Sequence, residues 1–287
     1  ACRQTGMAML CSHSVQECMD LAGVAHLAAI ESSVPFIHFF DGFRTSHEIQ
    51  KVEVMDTEFL KSLVDMDKVA QFKANALNPH TNPVTRGGAE NDDIFFQGRE
   101  AQNEHFNNVL PVAIKYFKKV SKLTGREYAP FVYYGAKDAT KVIIAMGSIN
   151  ETAYEVVKDL NEKGEKVGMI RVHLYRPFSA ELLVKALPRT VKEIAVLDRT
   201  KELGSVGEGL YEDVTSALNL MGKKNIKVIG GRYGLSSKDT QPKHIKAVFD
   251  FMLCGTEHHN FTVGIVDDVT HLSIPVDDTY EIAHTYT

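Results

Sequence analysis

The segment from Lys141 to Gly209 constrains the fold most, because it repeats strand, sharp turn and helix with little chain between them. Lys141–Met146 (KVIIAM) is a short apolar run that stops at Gly147-Ser148. Ser148 and Glu151 stand at capping-box spacing, which predicts a helix whose first N–H groups they satisfy. Ala153, Val156, Val157 and Leu160 then share one helical face, and Gly164 supplies a left-handed stop. A second apolar run, Val167–Leu174, ends at Arg176-Pro177, where proline cannot continue a central ladder. Ser179 is placed to cap the next helix and Pro188 to end it. Ile194–Leu197 is a third strand, followed by Asp198-Arg199-Thr200-Lys201-Glu202 and the glycines Gly204, Gly207 and Gly209. Strands alternating with helices through short turns predict an α/β fold: three-layer domains, each with a parallel sheet between helices.

Upstream, Ser14 and Glu17 repeat the capping-box spacing ahead of Val15–Ile30, whose residues are apolar nearly all round, the pattern of a buried helix. Phe36–Phe40 reads as a short buried strand ending at Asp41-Gly42. Helical patterns follow around Glu58–Val64 and Met66–Ala74. Between Asn78 and Asn91 the chain turns polar, with Pro79, Pro83, Gly87 and Gly88, and reads as a long surface loop. Phe106, Val109, Leu110, Ala113, Phe117 and Val120 lie on one face of a helix that ends near Gly125. A domain boundary is expected between Gly125 and Asp138, before the strand at Lys141. It divides the chain into residues 1–130, residues 131–278 and a tail, 279–287, that fits neither unit.

At 287 residues the chain is long enough for two cores of ordinary size. Its hydrophobic content of 44% and charged content of 24% are those of a globular protein. A net charge of −5 gives no electrostatic case for a nucleic-acid partner. The longest apolar run, Leu21–Ile30, is too short to span a bilayer and is broken by Gly23 and His26, so no membrane partner is expected. No signal-peptide pattern opens the chain, which reads as not secreted. Cys2, Cys11, Cys18 and Cys254 are scattered and form no Cys-x-x-Cys pair, so no zinc or iron–sulfur motif is signalled. Buried or free thiols in a reducing compartment are the simpler reading. The chain opens at Ala1-Cys2-Arg3 without a methionine and is expected to be part of a longer polypeptide.

Asp41-Gly42-Phe43-Arg44-Thr45-Ser46-His47-Glu48 follows the carboxyl end of a predicted strand, where open α/β sheets place their ligands. Asp41, Arg44, Thr45 and His47 put an acid, a cation, a hydroxyl and an imidazole within one loop. Two readings stand: an active-site or subunit-interface loop, or a hydrogen-bonded turn in which Asp41 and Thr45 satisfy backbone N–H groups. Ser12-His13-Ser14 precedes a helix and is either an anion site or simple capping by Ser14. Gly230–Lys238 (GGRYGLSSK) sets Arg232 and Lys238 among small residues after the strand Ile226–Ile229. It lacks the Walker A spacing, so it reads as an interdomain packing loop first and a phosphate loop second. Asp198–Gly209 lacks the dinucleotide register. His258, His259 and His271 have no carboxylate or thiol at ligand spacing and read as surface histidines, and no metal ligands are assigned.

The runs MGSINETAYEVV, RVHLYRPFS, VLDRTKELGSVGEGLYEDV, GGRYGLSSKD and HNFTVGIVDDVT resemble the transketolase C-terminal-like domain of pyruvate:ferredoxin (flavodoxin) oxidoreductases. CRQTGMAML, SHSVQECMDLAGVAHLAAI, VPFIHFFDGFRTSHEIQKVEV and FFQGREAQN look like the second half of that family's pyrimidine-side domain. The resemblance runs from Cys2 to Asp278 and leaves TYEIAHTYT unplaced. It implies a parent that decarboxylates pyruvate on thiamine diphosphate and Mg and passes electrons through iron–sulfur clusters to ferredoxin or flavodoxin. That parent would form acetyl-CoA from coenzyme A as a homodimer in anaerobic metabolism. It would work in the cytoplasm or a reducing organelle such as a hydrogenosome. The family's diphosphate grip, Gly-Asp-Gly followed by Asn-Asn, is not matched: Asp41-Gly42 lacks the first glycine, and Asn107-Asn108 falls on a predicted helix. The family's catalytic Glu, and the Thr and Arg that hold pyruvate, would lie upstream of Ala1, and the coenzyme A loop downstream of Thr287. The span alone is therefore expected to hold no catalytic residue and to bind no cofactor. Its partners would be the remaining domains of the same polypeptide. Two alternatives remain open: an NADP-linked pyruvate oxidoreductase, and a non-catalytic interaction protein derived from these domains.

Overall fold

Two short strands, Ala8–Cys11 (β1) and Phe36–Phe39 (β2), pair in parallel with Ala8 opposite Phe36 and Cys11 opposite Phe39. The connection between them is the helix Val15–Ser32 (α1). These strands belong to a computed structural model that describes residues 2–84, 88–253 and 259–282. Ser14 caps α1, its Oγ accepting the Glu17 N–H at 3.2 Å. Glu17 does not close a box on Ser14; its carboxylate accepts the His13 N–H at 3.0 Å instead. Leu21, Val24, Leu27 and Ala28 are buried against Val112, Ala113, Phe117 and Val120 of a later helix. Strand β2, expected to be buried, is only half-buried along its length.

Thr57–Ser62 (α2) and Met66–Ala74 (α3) are capped by Asp56 and Asp65. Asp92–Ala101 (α4) is a helix that the sequence pattern left unassigned. Its apolar residues Ile94, Phe95 and Phe96 are consecutive rather than three or four apart, so they draw no stripe, and all three are exposed. Asn103–Thr124 (α5) buries Val109, Val112, Ala113, Tyr116, Phe117 and Val120 and stops at Gly125, which takes the left-handed conformation at φ 71°.

The remaining strands are Phe131–Gly135 (β3), Lys141–Ala145 (β4), Val167–Val172 (β5), Leu174–Arg176 (β6), Glu193–Asp198 (β7), Lys227–Arg232 (β8) and Phe261–Thr262 (β9). Ile149–Glu162 (α6), Ala180–Ala186 (α7), Gly209–Leu220 (α8) and Pro242–Phe251 (α9) alternate with them. Six strands form one sheet in the order β3-β5-β4-β7-β8-β9, parallel except for the antiparallel edge strand β3. On one face Val156 and Leu160 of α6 and Val248 and Phe249 of α9 cover Ile143, Met169, Ala195 and Leu197. On the other, Leu183 of α7 and Val214 and Leu218 of α8 cover Val142, Ile144, Ile170 and Val196. The result is the expected α/β sandwich of three layers. Ile229 is buried on β8, whereas Val228 is only half-buried.

Three further features depart from the sequence pattern. The stretch between Gly125 and Asp138, in which no strand was expected, contains β3, whose antiparallel ladder with β5 makes it the edge of the larger sheet from Phe131 onward. The run Val167–Leu174 is two strands, not one. At His173 the ladder breaks, because the N–H groups of His173 and Leu174 both turn to the Pro130 carbonyl, at 2.9 and 3.2 Å. Strand β6 then crosses to the other sheet and pairs antiparallel with β1, giving the order β2-β1-β6. Arg232, placed by the sequence pattern in a loop, is the last residue of β8.

Gly231 on β8 faces Phe261 so closely that an added Cβ would stand 2.2 Å from the ring. We expect Gly231→Ala to destabilise the chain by about 1–3 kcal/mol through overpacking, read from denaturant unfolding. A variant as stable as the original would show that β9 yields freely to β8.

Candidate functional site

Five strand ends converge on one cleft of about 410 Å³, whose walls include His13, Arg44, His47, Glu151, Arg199 and Lys238. His13 comes from the turn after β1, Arg44 and His47 from the loop after β2, and Glu151 from the first turn of α6. Arg199 follows β7, and Lys238 follows β8. The carboxyl ends of parallel strands lose their ladder partners here, which is why loops of this kind meet in a crevice.

Asp41 is the pivot of the cleft. Its Oδ2 accepts the Ser148 N–H at 2.5 Å, and its Oδ1 lies 2.9 Å from Arg199 Nη1. The expected Ser148–Glu151 capping box is therefore replaced. Ser148 has helical φ/ψ and makes no side-chain cap bond, and the start of α6 is capped by a carboxylate over 100 residues away. Gly147 makes room for it: at φ 79°, an added Cβ there would stand 2.5 Å from Asp41 Oδ2. Arg44 reaches the same unit, donating to the Ser237 carbonyl at 2.6 Å and pairing with Asp239 at 3.0 Å. Ser237 Oγ also donates to the Gly42 carbonyl at 3.3 Å. Thr45 is buried, and its hydroxyl has no protein partner among the described residues. His47 stacks on Phe43 with centroids 5.0 Å apart and meets Ser46 Oγ through Nδ1 at 2.8 Å. The loop closes on itself through the Ser46 N–H to the Asp41 carbonyl at 3.2 Å and the His47 N–H to the Arg44 carbonyl at 3.0 Å, and it is also fastened to the larger sheet's loops.

The other residues singled out in the sequence are separated by the fold. Ser12 is fully buried, with its hydroxyl 2.7 Å from His38 Nε2, and it does not face a ligand space. Ser14 is occupied in capping α1, and the anion at that helix start is the chain's own Glu17. Arg232 is buried, with its guanidinium on Glu208 at 3.4 Å and the Asn260 carbonyl at 2.9 Å. Lys238 is exposed on the cleft rim. His259 is half-buried: its Nδ1 accepts from Gly230 and its Nε2 meets the Val206 carbonyl, with the ring 4.3 Å from that of Tyr211. Cys254 and His258 lie outside the described residues, and His271 is exposed.

Behind the cleft lies a buried group that the sequence did not assemble. Glu17 Oε1 is 2.9 Å from His173 Nε2, and Glu17 Oε2 contacts His13 Nδ1. His13 Nε2 is 2.8 Å from Glu151 Oε1, and His173 Nδ1 is 2.9 Å from the Ala129 carbonyl. Burial alone would push the Glu17 carboxyl up, but the His173 charge and the closeness of both imidazoles outweigh it and hold it far below the carboxylate range. Burial likewise works against charge on His13, and the Glu151 and Glu17 carboxylates reverse that and raise it. His13 and Glu17 were visible as an i, i+4 pair; His173 is 156 residues from Glu17 and carried no local signal.

Asp198, the last residue of β7, accepts the N–H groups of Leu210 and Tyr211 at 3.1 and 3.2 Å and so caps α8. Burial pushes its carboxyl up to about 6, against those two bonds.

The cleft thus lies between a small mixed sheet and a larger, mostly parallel one, the arrangement of an α/β domain pair. The family model for pyruvate flavodoxin/ferredoxin oxidoreductase, thiamine diphosphate-binding, matches residues 1–118, and that for pyruvate:ferredoxin oxidoreductase core domain II matches residues 139–245. The pyruvate:ferredoxin oxidoreductase of Moorella thermoacetica is 55% identical over 97% of this chain and 24% of its own length. A pyruvate-flavodoxin oxidoreductase sequence of Nostoc sp. is 46% identical over 98% of this chain and 69% of its own. The mitochondrial pyruvate dehydrogenase [NADP(+)] of Euglena gracilis is 47% identical over 96% of this chain and 15% of its own length. The chain belongs to the pyruvate:ferredoxin (flavodoxin) oxidoreductase family. It spans about a quarter of the length of the first of these relatives.

Two measurements check the geometry. Asp41→Ala removes the acceptor of the Ser148 N–H and the ion pair to Arg199, which keeps its bonds to Gly234 and Ser237, and is expected to cost about 1–3 kcal/mol in unfolding free energy. Ser148→Ala should cost under about 0.5 kcal/mol, since no cap is lost; the reverse ranking would restore the local capping box. For Asp198, the native state keeps a proton that the unfolded chain releases, so its contribution to stability falls as pH rises from about 4 to about 6. The stability of Asp198→Asn relative to the original chain should rise across that window and level off above it. A flat difference would mean that Asp198 titrates as it does when unfolded.

Proposed function

We propose that this chain is an internal part of an enzyme that oxidatively decarboxylates pyruvate to acetyl-CoA and CO2, delivering the electrons to ferredoxin or flavodoxin. The observation that carries this reading is 55% identity to a pyruvate:ferredoxin oxidoreductase across 97% of the chain. The span's own task is to shape one wall of the active pocket and to hold the domain and dimer contacts around it. The Asp41–His47 loop supports that assignment, because its acid and its cation are spent on the neighbouring unit. Asp41, Arg44, Thr45 and His47 are positioning residues in this reading.

Thiamine diphosphate, when bound, supplies the electron sink for decarboxylation. The residues present do not fit the role of its Mg-diphosphate grip. Asp41 is committed to Arg199 and Ser148, and Asn107-Asn108 lie exposed on α5. Iron–sulfur ligation requires thiolates, whereas burial pushes the Cys11 thiol well up and the Cys18 thiol up to about 11. We therefore assign thiamine diphosphate, Mg, the clusters and coenzyme A to other parts of the parent. Such an enzyme works as a homodimer in a reducing compartment, the cytoplasm or an organelle such as a hydrogenosome. Among the described residues no helix is long and apolar enough to cross a membrane. An NADP-linked parent is the second reading, favoured by the Euglena relative.

Pyruvate- and coenzyme A-dependent reduction of ferredoxin, flavodoxin or NADP by the full parent polypeptide tests these assignments, and failure with all three acceptors would defeat both. Calorimetry on the 287-residue chain should give no micromolar binding of Mg-thiamine diphosphate. In the parent, Arg44→Ala should lower turnover or weaken the dimer. Full turnover with an intact dimer would leave the loop as a self-contained turn.

A further inference from the structure

Glu17 lies 6% exposed between two imidazoles, His13 at 5% and His173 at 2%, and the way those rings are held decides what can lie between them. His173 Nδ1 faces the Ala129 carbonyl, which only accepts, so a neutral ring carries its proton there and turns its Nε2 lone pair to Glu17. His13 Nε2 faces the Glu151 carboxylate in the same way, which turns its Nδ1 lone pair to the other Glu17 oxygen. That Nδ1 is buried and has no aligned hydrogen bond. Two lone pairs aimed at a carboxylate repel it. Positive charge has to stand between them, and either two protons or one dication carries the required amount.

We propose that His13, Glu17 and His173 bind a single divalent transition-metal ion of the zinc class. The ligand atoms lie within 4.8 Å of one another and come from the turn before α1, from α1 itself and from the β5–β6 junction. Two imidazoles and a carboxylate suit zinc, cobalt or nickel rather than magnesium or calcium. Each ring's second nitrogen is fixed by a carboxylate or a backbone carbonyl, the outer-shell support that metal-bound histidines show. A cavity of about 310 Å³ lined by His13, Glu17, Tyr128 and Arg171 adjoins the cluster and gives entry, with room for a water as fourth ligand. The bound ion would join α1 to the point where the chain passes from one sheet to the other. The site does not depend on the parent's activity.

Zinc titrated against a chromophoric chelator, with cobalt as an optical reporter, tests the site on the 287-residue chain. We expect a single equivalent bound, visible cobalt bands of low-symmetry N/O ligation, release of protons on binding, and a higher unfolding temperature with zinc. His13→Asn should abolish these responses. Glu151→Gln, which alters a half-exposed side chain and so leaves the fold intact, should weaken zinc about 10–100-fold. Absence of binding by the folded chain overturns the proposal. So does binding that survives both substitutions, which would trace it to surface histidines.

Discussion

One carboxylate holds the two halves of this molecule in register. Asp41 takes the first free N–H of α6 and the guanidinium of Arg199 at once, so a loop from one sheet caps a helix packed on the other. A helix start carries partial positive charge, and an acid that satisfies it from outside the helix does more than cap: it fixes the distance between two cores. Arg44 extends the same contact to Ser237 and Asp239. These bonds tie the loop after β2 to the segments that follow β4, β7 and β8, all of which border the cleft. Gly147 is part of the device, since any side chain there would occupy the carboxylate's place.

Most of the large sheet was legible in the sequence because its signals are local. Short apolar runs became β4, β5 and β7, the 3.6-residue pattern at Ala153–Leu160 became α6, and Ser179 capped α7 as its position indicated. What escaped was set by tertiary demand. Ser148 has the residue type and spacing of a cap, yet a better acceptor arrives from Asp41, and nothing near Ser148 announces it. The break at His173 depends on the Pro130 carbonyl, and α4 depends on no buried stripe at all.

The candidate site was legible by halves. The Asp41–His47 loop stood out because it gathers an acid, a cation and an imidazole after a strand. Its partners, Arg199, Ser237 and Asp239, lie far along the chain and only the fold brings them in. Arg232 shows the opposite error: small neighbours suggested an open loop, but those glycines are needed for Phe261 and Tyr211 to pack on β8, and the guanidinium is consumed beneath them. The matches to the oxidoreductases show the family to which the chain belongs.

The crossing of β6 carries a consequence for how such a chain can be recombined. A cut near residue 130 looks like a seam in the sequence, but Leu174 and Arg176 lie in the ladder of β1. A chimera joined there would import a foreign edge strand into the host's smaller sheet, and its fit would depend on Met9 and Leu10 as much as on the junction. The inheritable module is therefore the interlocked pair, and shuffling between relatives should succeed only where both members of the β1–β6 pair travel together.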